Sequence, residues 1–134
     1  MSKKTILHLI SSIDFLGAER VACELASETA RLTNVCVHLG IMSNSSQLFT
    51  AFKDALAPSG VVLTCFPAKG KFDFRTVKAL TAYLTDNNIQ LVHSHGYKSD
   101  LYSYLAVKFS NANIKLFATN HNWILGSLAE KLYR

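Results

Sequence analysis

The sequence is 134 residues long, 49% hydrophobic and 17% charged, with a formal net charge of +5. That length holds one ordinary domain with a real core and not two, and the composition excludes a disordered chain. No apolar run approaches the roughly 18–20 residues that span a bilayer, and no reading motif accompanies the basic charge, so neither a membrane span nor a nucleic-acid partner is expected.

The basic start Met1-Ser2-Lys3-Lys4 invites comparison with a signal peptide. The apolar run behind it is interrupted by His8, ends in Ser11-Ser12 and has no small-residue cleavage site. Residues 5–10 therefore read as a first strand, and the chain as cytoplasmic. Residues 17–32 follow with Ala18, Val21, Ala22, Leu25, Ala26 and Thr29 on one predicted helical stripe. Residues 34–42, with Val35, Val37, Leu39 and Ile41, make a second strand. The polar turn Ser43-Asn44-Ser45-Ser46 supplies a cap for a helix bearing Leu48, Phe52 and Leu56.

Pro58-Ser59-Gly60 stops that helix, and residues 61–66 give a third strand. Asp73 caps a helix carrying Phe74, Val77, Leu80 and Leu84, which Asp86-Asn87-Asn88 ends. Residues 91–95 are a fourth strand. Ser99 or Asp100 then starts a helix with Leu101, Tyr104, Leu105 and Phe109. Residues 114–119 form a fifth strand, and from Trp123 a further helix runs to Arg134 with no stop signal. That unfinished pattern reads as a fragment of a longer protein.

Strict alternation of short strands and helices means parallel strands joined by right-handed crossovers. The strands are apolar on both faces, as helices on both sides require. The expected fold is a single α/β domain over residues 1–134, a doubly wound parallel sheet of Rossmann-like type with strand order 3-2-1-4-5. In such a sheet ligands bind beyond the carboxyl ends of the strands, where the strand order reverses. The loops there are Ser11 to Gly17, His95-Gly96-Tyr97-Lys98 and Asn120-His121-Asn122. Polar side chains thus collect at the edge where the fold expects a ligand.

Gly17 opens the first helix, where free N–H groups and the helix dipole favour phosphate; as a plain turn glycine it has nearly equal weight. A dinucleotide fold needs G-x-G-x-x-G after the first strand and an acid after the second, and the sequence has neither. A P-loop is absent, and so is the acidic cluster of a phosphoacceptor domain. Cys23, Cys36 and Cys65 lack paired spacing and read as free thiols. His8, His38 and His93 read as core or strand-end residues. His93 and His95 alternate on one strand, but no carboxylate or cysteine stands at matching spacing, so no metal is expected. His95 and His121 close strands at the ligand edge, where a neutral imidazole can bond a sugar hydroxyl.

Three segments carry a resemblance. Ile6 to Ile10 followed by Leu16-Gly17-Ala18-Glu19-Arg20-Val21, then Leu91-Val92-His93-Ser94-His95-Gly96, then Leu116 to Asn122 with Thr119-Asn120-His121, occur in order with suitable spacing. Together they resemble the N-terminal domain of the family 4 retaining glycosyltransferases. The resemblance implies a GT-B enzyme of two Rossmann-like domains, in which this half shapes the acceptor side and an absent C-terminal domain holds the nucleotide-sugar. It implies His121 as the catalytic residue against the donor sugar, Gly17 against the donor diphosphate, and His95, Gly96 and Asn122 as substrate-binding residues. No metal and no cofactor beyond the nucleotide-sugar substrate is implied.

The expected acceptor is a glycan or a lipid-linked sugar, with activity only once a donor domain is supplied in the same chain or by a partner subunit. The first glycine of the family's usual pair is Leu16 here. A subunit of a split enzyme and a non-catalytic Rossmann-like binding module are the alternatives. The cluster Lys69, Lys71, Arg75 and Lys78 adds an expectation of peripheral contact with an anionic membrane.

Overall fold

A computed structural model describes residues 3–119. They form β1 (Lys4–Ser11), α1 (Gly17–Ala30), β2 (Val35–Met42), α2 (Ser46–Leu56), β3 (Val62–Phe66), α3 (Phe74–Asp86), β4 (Leu91–His95), α4 (Tyr97–Ser110) and β5 (Lys115–Thr119). The sheet runs β3-β2-β1-β4-β5 with every pair parallel, the predicted order. The reversal between β1 and β4 places Ile10 opposite His95 and His8 opposite His93.

Each face of the sheet has its own core, because side chains alternate along a strand. Ile10, Val37, Leu39 and Ile41 pack with Ala22, Cys23 and Ala26 of α1 and with Leu48, Phe52 and Leu56 of α2. Leu7, Leu9, Met42, Phe66 and Val92 pack with Val77, Leu80 and Leu84 of α3 and with Tyr102 and Ala106 of α4. Each large buried side chain contributes about 1.5–3 kcal/mol. Gly40 makes room in this second core, since a Cβ there would lie 2.8 Å from the Phe66 ring. The Tyr102 hydroxyl accepts a 2.7 Å bond from the Asp73 backbone N–H, joining α4 to the start of α3.

The predicted caps of α2 and α3 are the observed ones. The Ser45 hydroxyl accepts from Leu48 N, and the Asp73 carboxylate accepts from Arg75 N and Lys69 N. The latter bonds, Lys69 first, hold the Asp73 carboxyl below the usual range.

Two helical stripes need correction. In α1 the buried face is Glu19, Ala22, Cys23 and Ala26, while Val21 and Leu25 are 44% and 40% exposed. Alanines at 22 and 26 let the helix lie close to the sheet, and Glu19 is buried because its carboxylate is fully engaged at the helix start. In α4 the buried face is Ser99, Tyr102, Ser103 and Ala106, whereas Leu101, Tyr104 and Phe109 are exposed. Ser99 is accommodated because its hydroxyl donates to the His95 carbonyl at 2.8 Å. The helix also starts at Tyr97, earlier than Ser99. Gly96 caps it with φ +106° and ψ 168°, a conformation essentially reserved for glycine.

The candidate substrate rim

The carboxyl ends of β1 and β4 are neighbours, so the β1–α1 loop and the start of α4 share one rim. Gly17 is exposed there as the first residue of α1, and a Cβ built on it would meet nothing within 4 Å. Packing among the described residues therefore does not demand glycine at this position. Its bareness leaves the first turn of the helix open to a ligand.

Glu19 shapes the approach to that turn. Its carboxylate accepts from the Ser12 hydroxyl at 2.7 Å and from the Leu16 backbone N–H at 2.8 Å. Leu16 has no side-chain oxygen to return the favour, so this is half of a capping box. Removing the carboxylate strands the Leu16 N–H, whereas the Ser12 hydroxyl still has the Asp14 carbonyl at 2.8 Å as acceptor. Glu19→Ala is expected to cost about 1–3 kcal/mol, read as a lowered urea midpoint, and a shift under 0.5 M alongside an unchanged m-value argues against this role for about that energy.

His95 closes β4 and is buried, 3% exposed. Its Nε2 shares a 3.1 Å hydrogen bond with Nδ1 of His8, itself 2% exposed. The His93 and His95 rings stack at 4.2 Å, and His8 stands 5.0 Å from the first and 5.3 Å from the second. The His93 Nε2 pairs with the Thr119 hydroxyl on β5. Burial, and secondarily the nearby His93, pulls the His8 pKa down to about 4, so the ring is neutral near pH 7. His8, which the sequence reading kept apart from the alternating pair His93 and His95, thus meets them on one face of the sheet just below the rim.

On the opposite face, the Ser94 hydroxyl donates to the Asp100 carboxylate in the first turn of α4. Burial raises the Asp100 pKa against the pull of that bond. Gly96 N–H donates to the Thr119 carbonyl at 3.1 Å, tying the end of β5 to the start of α4. His121 and Asn122 lie outside the described residues. Sequence reasoning missed Glu19, Asp100 and the meeting of His8 with His93 and His95. The last was implicit in the strand order, which sets β1 beside β4.

Cys23, Cys36 and Cys65 are free and none lies in this group. Burial pushes the Cys23 thiol up to about 11, with Glu19 and Glu24 adding to the effect, which removes it as a nucleophile. An open depression of about 210 Å³ between Lys53 and Leu63 lies at the other end of the strands, away from the rim. Among the described residues no helix is long and apolar enough to cross a membrane.

The comparisons with known proteins agree with the architecture. A search of curated proteins finds no match. The fold is similar to that of a glycosyltransferase from Rickettsia africae ESF-5, with a TM-score of 0.67 at 15% identity. The match covers 96% of this chain and 34% of that one, so this chain spans about a third of its length. A family model for Glycosyltransferase Family 4 matches residues 16–134, from the loop before Gly17 onward. The chain belongs to glycosyltransferase family 4.

Proposed function

We propose that this domain is the acceptor-side half of a retaining glycosyltransferase, which transfers a sugar from a nucleotide-sugar to a glycan or lipid-linked acceptor. The observation that carries the reading is the shared rim, where Gly17 opens α1 on one side and His95-Gly96 turns into α4 on the other. The donor diphosphate lies against the open turn at Gly17, and His121 bonds the donor sugar near the reacting carbon. Gly96 and Asn122 face the acceptor, and the buried His95 ring supports that wall from below. No metal takes part in the transfer, and no cofactor is used besides the donor substrate.

A rim is one wall of a cleft. Stabilising a transition state requires the opposite wall as well, so the donor domain, in the same chain or as a partner subunit, is needed for turnover. The reaction takes place in the cytoplasm with peripheral contact to an anionic membrane. Lys69, Lys71, Arg75 and Lys78 support that contact, since Phe72 and Phe74 stand exposed among them and Phe74 meets the exposed Phe109 edge-on.

The test is sugar transfer by the full-length protein over a panel of nucleotide-sugars, with the product's anomeric configuration read by NMR. Retention is expected, with no turnover from residues 1–134 alone. His121→Ala is expected to lower kcat about 100-fold while donor binding persists. Turnover by the isolated domain, or an inverted product, overturns the reading. An unchanged kcat in His121→Ala favours a non-catalytic binding module instead.

A further inference from the structure

We propose that His8, His93 and His95 form a binding site for a divalent transition-metal ion of the zinc class, clamping β1 to β4 beneath the rim. The site shares His95 with the rim described above, but it takes no part in sugar transfer and does not rest on that reading. One nitrogen of each ring lies within 4.8 Å of the nitrogens of the other two. Zinc held by imidazoles at about 2.0–2.1 Å in a tetrahedral shell sets its ligand nitrogens about 3.3–3.4 Å apart. The His8 Nδ1 to His95 Nε2 separation of 3.1 Å is already of that order. All three nitrogens lie within 4.8 Å of one another, and His93 is the one partly exposed ring of the three.

The geometry arises from the sheet. His93 and His95 alternate on β4 and face the same way, and the parallel register puts His8 directly opposite His93. An arrangement of two histidines on one strand and a third on its neighbour presents three imidazoles to one point and leaves a fourth position for water. The Thr119 hydroxyl on His93 Nε2 fixes that ring's orientation, as outer-shell hydrogen bonds do in metal sites.

Binding through His8 Nδ1 and His95 Nε2 replaces the hydrogen bond between those two nitrogens, while the buried Nε2 of His8 has no partner among the described residues in either state. The donor set also selects the ion. Three neutral imidazoles suit zinc, copper, nickel or cobalt, whereas magnesium and calcium require oxygen ligands.

The experiment is equilibrium dialysis of Zn²⁺ against tag-free protein, paired with thermal unfolding and with the visible d–d spectrum of the Co²⁺ form. One equivalent is expected to bind and to raise Tm, with the absorption of a low-coordinate cobalt, and millimolar Mg²⁺ is expected not to displace it. His8→Gln and His93→Gln are expected to weaken binding at least about tenfold, while His38→Gln, which removes a buried histidine on β2, leaves it unchanged. His93→Gln is the safer variant for folding, because that position is only half-buried. The proposal is overturned if no stoichiometric binding occurs, if Mg²⁺ competes, or if both cluster variants bind as tightly as the parent, which marks an adventitious ion only.

Discussion

Phe52→Ala is expected to destabilise the domain by about 3–5 kcal/mol, a large part of the stability of a domain this size. Phe52 is fully buried on α2, where it packs with Ile10, Leu39 and Ala26 in the core on that face of the sheet. It also meets Phe15 edge-on at 5.0 Å, and the Arg20 guanidinium lies over the Phe15 ring, 5.3 Å from its centre. Truncation opens a cavity between α1, α2 and the sheet and removes the floor beneath the β1–α1 loop. The damage therefore reaches the residues around Gly17. Urea unfolding followed by circular dichroism reads the loss directly, and the half-exposed Phe72→Ala serves as the mild comparison. A loss below about 1.5 kcal/mol for Phe52→Ala means the site collapses around the gap and does not act as a keystone for α2.

Acidification is the second large effect. His8 has a folded pKa near 4 against about 6.5 unfolded. Between those values the unfolded chain binds a proton that the folded chain refuses, so stability is complete above about pH 6.5 and falls as the pH drops toward 4. The total from this one ring is about 3 kcal/mol. His93 and His95 on β4 are the titratable groups facing it. His38, pulled down by its own burial, acts in the same direction, and Asp73 adds a loss at lower pH. Asp100, raised by burial, opposes them. Denaturant midpoints measured with a chelator from pH 7.5 to 4 are expected to fall in the wild type and to flatten in His8→Gln. Equal slopes in the two proteins place the acid sensitivity elsewhere.

The strand order and the α2 and α3 caps were legible because each depends on local signals. Ser45 and Asp73 announce their helices, and the alternation of periods leaves little choice of topology. The buried faces of α1 and α4 were legible only in part, for a physical reason. Ala22 and Ala26 stand on the predicted stripe of α1, but periodicity also weighs large apolar residues such as Val21, Leu25, Leu101 and Tyr104, which are exposed, and passes over Ser99 and Ser103, which are buried. Ser99 is tolerated only through a backbone bond that no pattern reveals. The rim at Gly17 and His95 followed from the fold rule alone. The histidine group needed the register of β1 on β4 as well, since His8 and His93 are far apart in the chain and meet only as opposite members of a strand pair.

The peptide at Gly96 works as a hinge pin between three elements. Its φ of +106° lets the same residue end β4, start α4 and still aim its N–H at the Thr119 carbonyl. A side chain at this point forces the backbone toward negative φ and turns that N–H away. The bond that ties the end of β5 to the start of α4 is then lost. A single stereochemical requirement thereby sets the level at which α4 begins and β5 ends, so changes at position 96 are felt at the rim as misalignment even where the core stays intact.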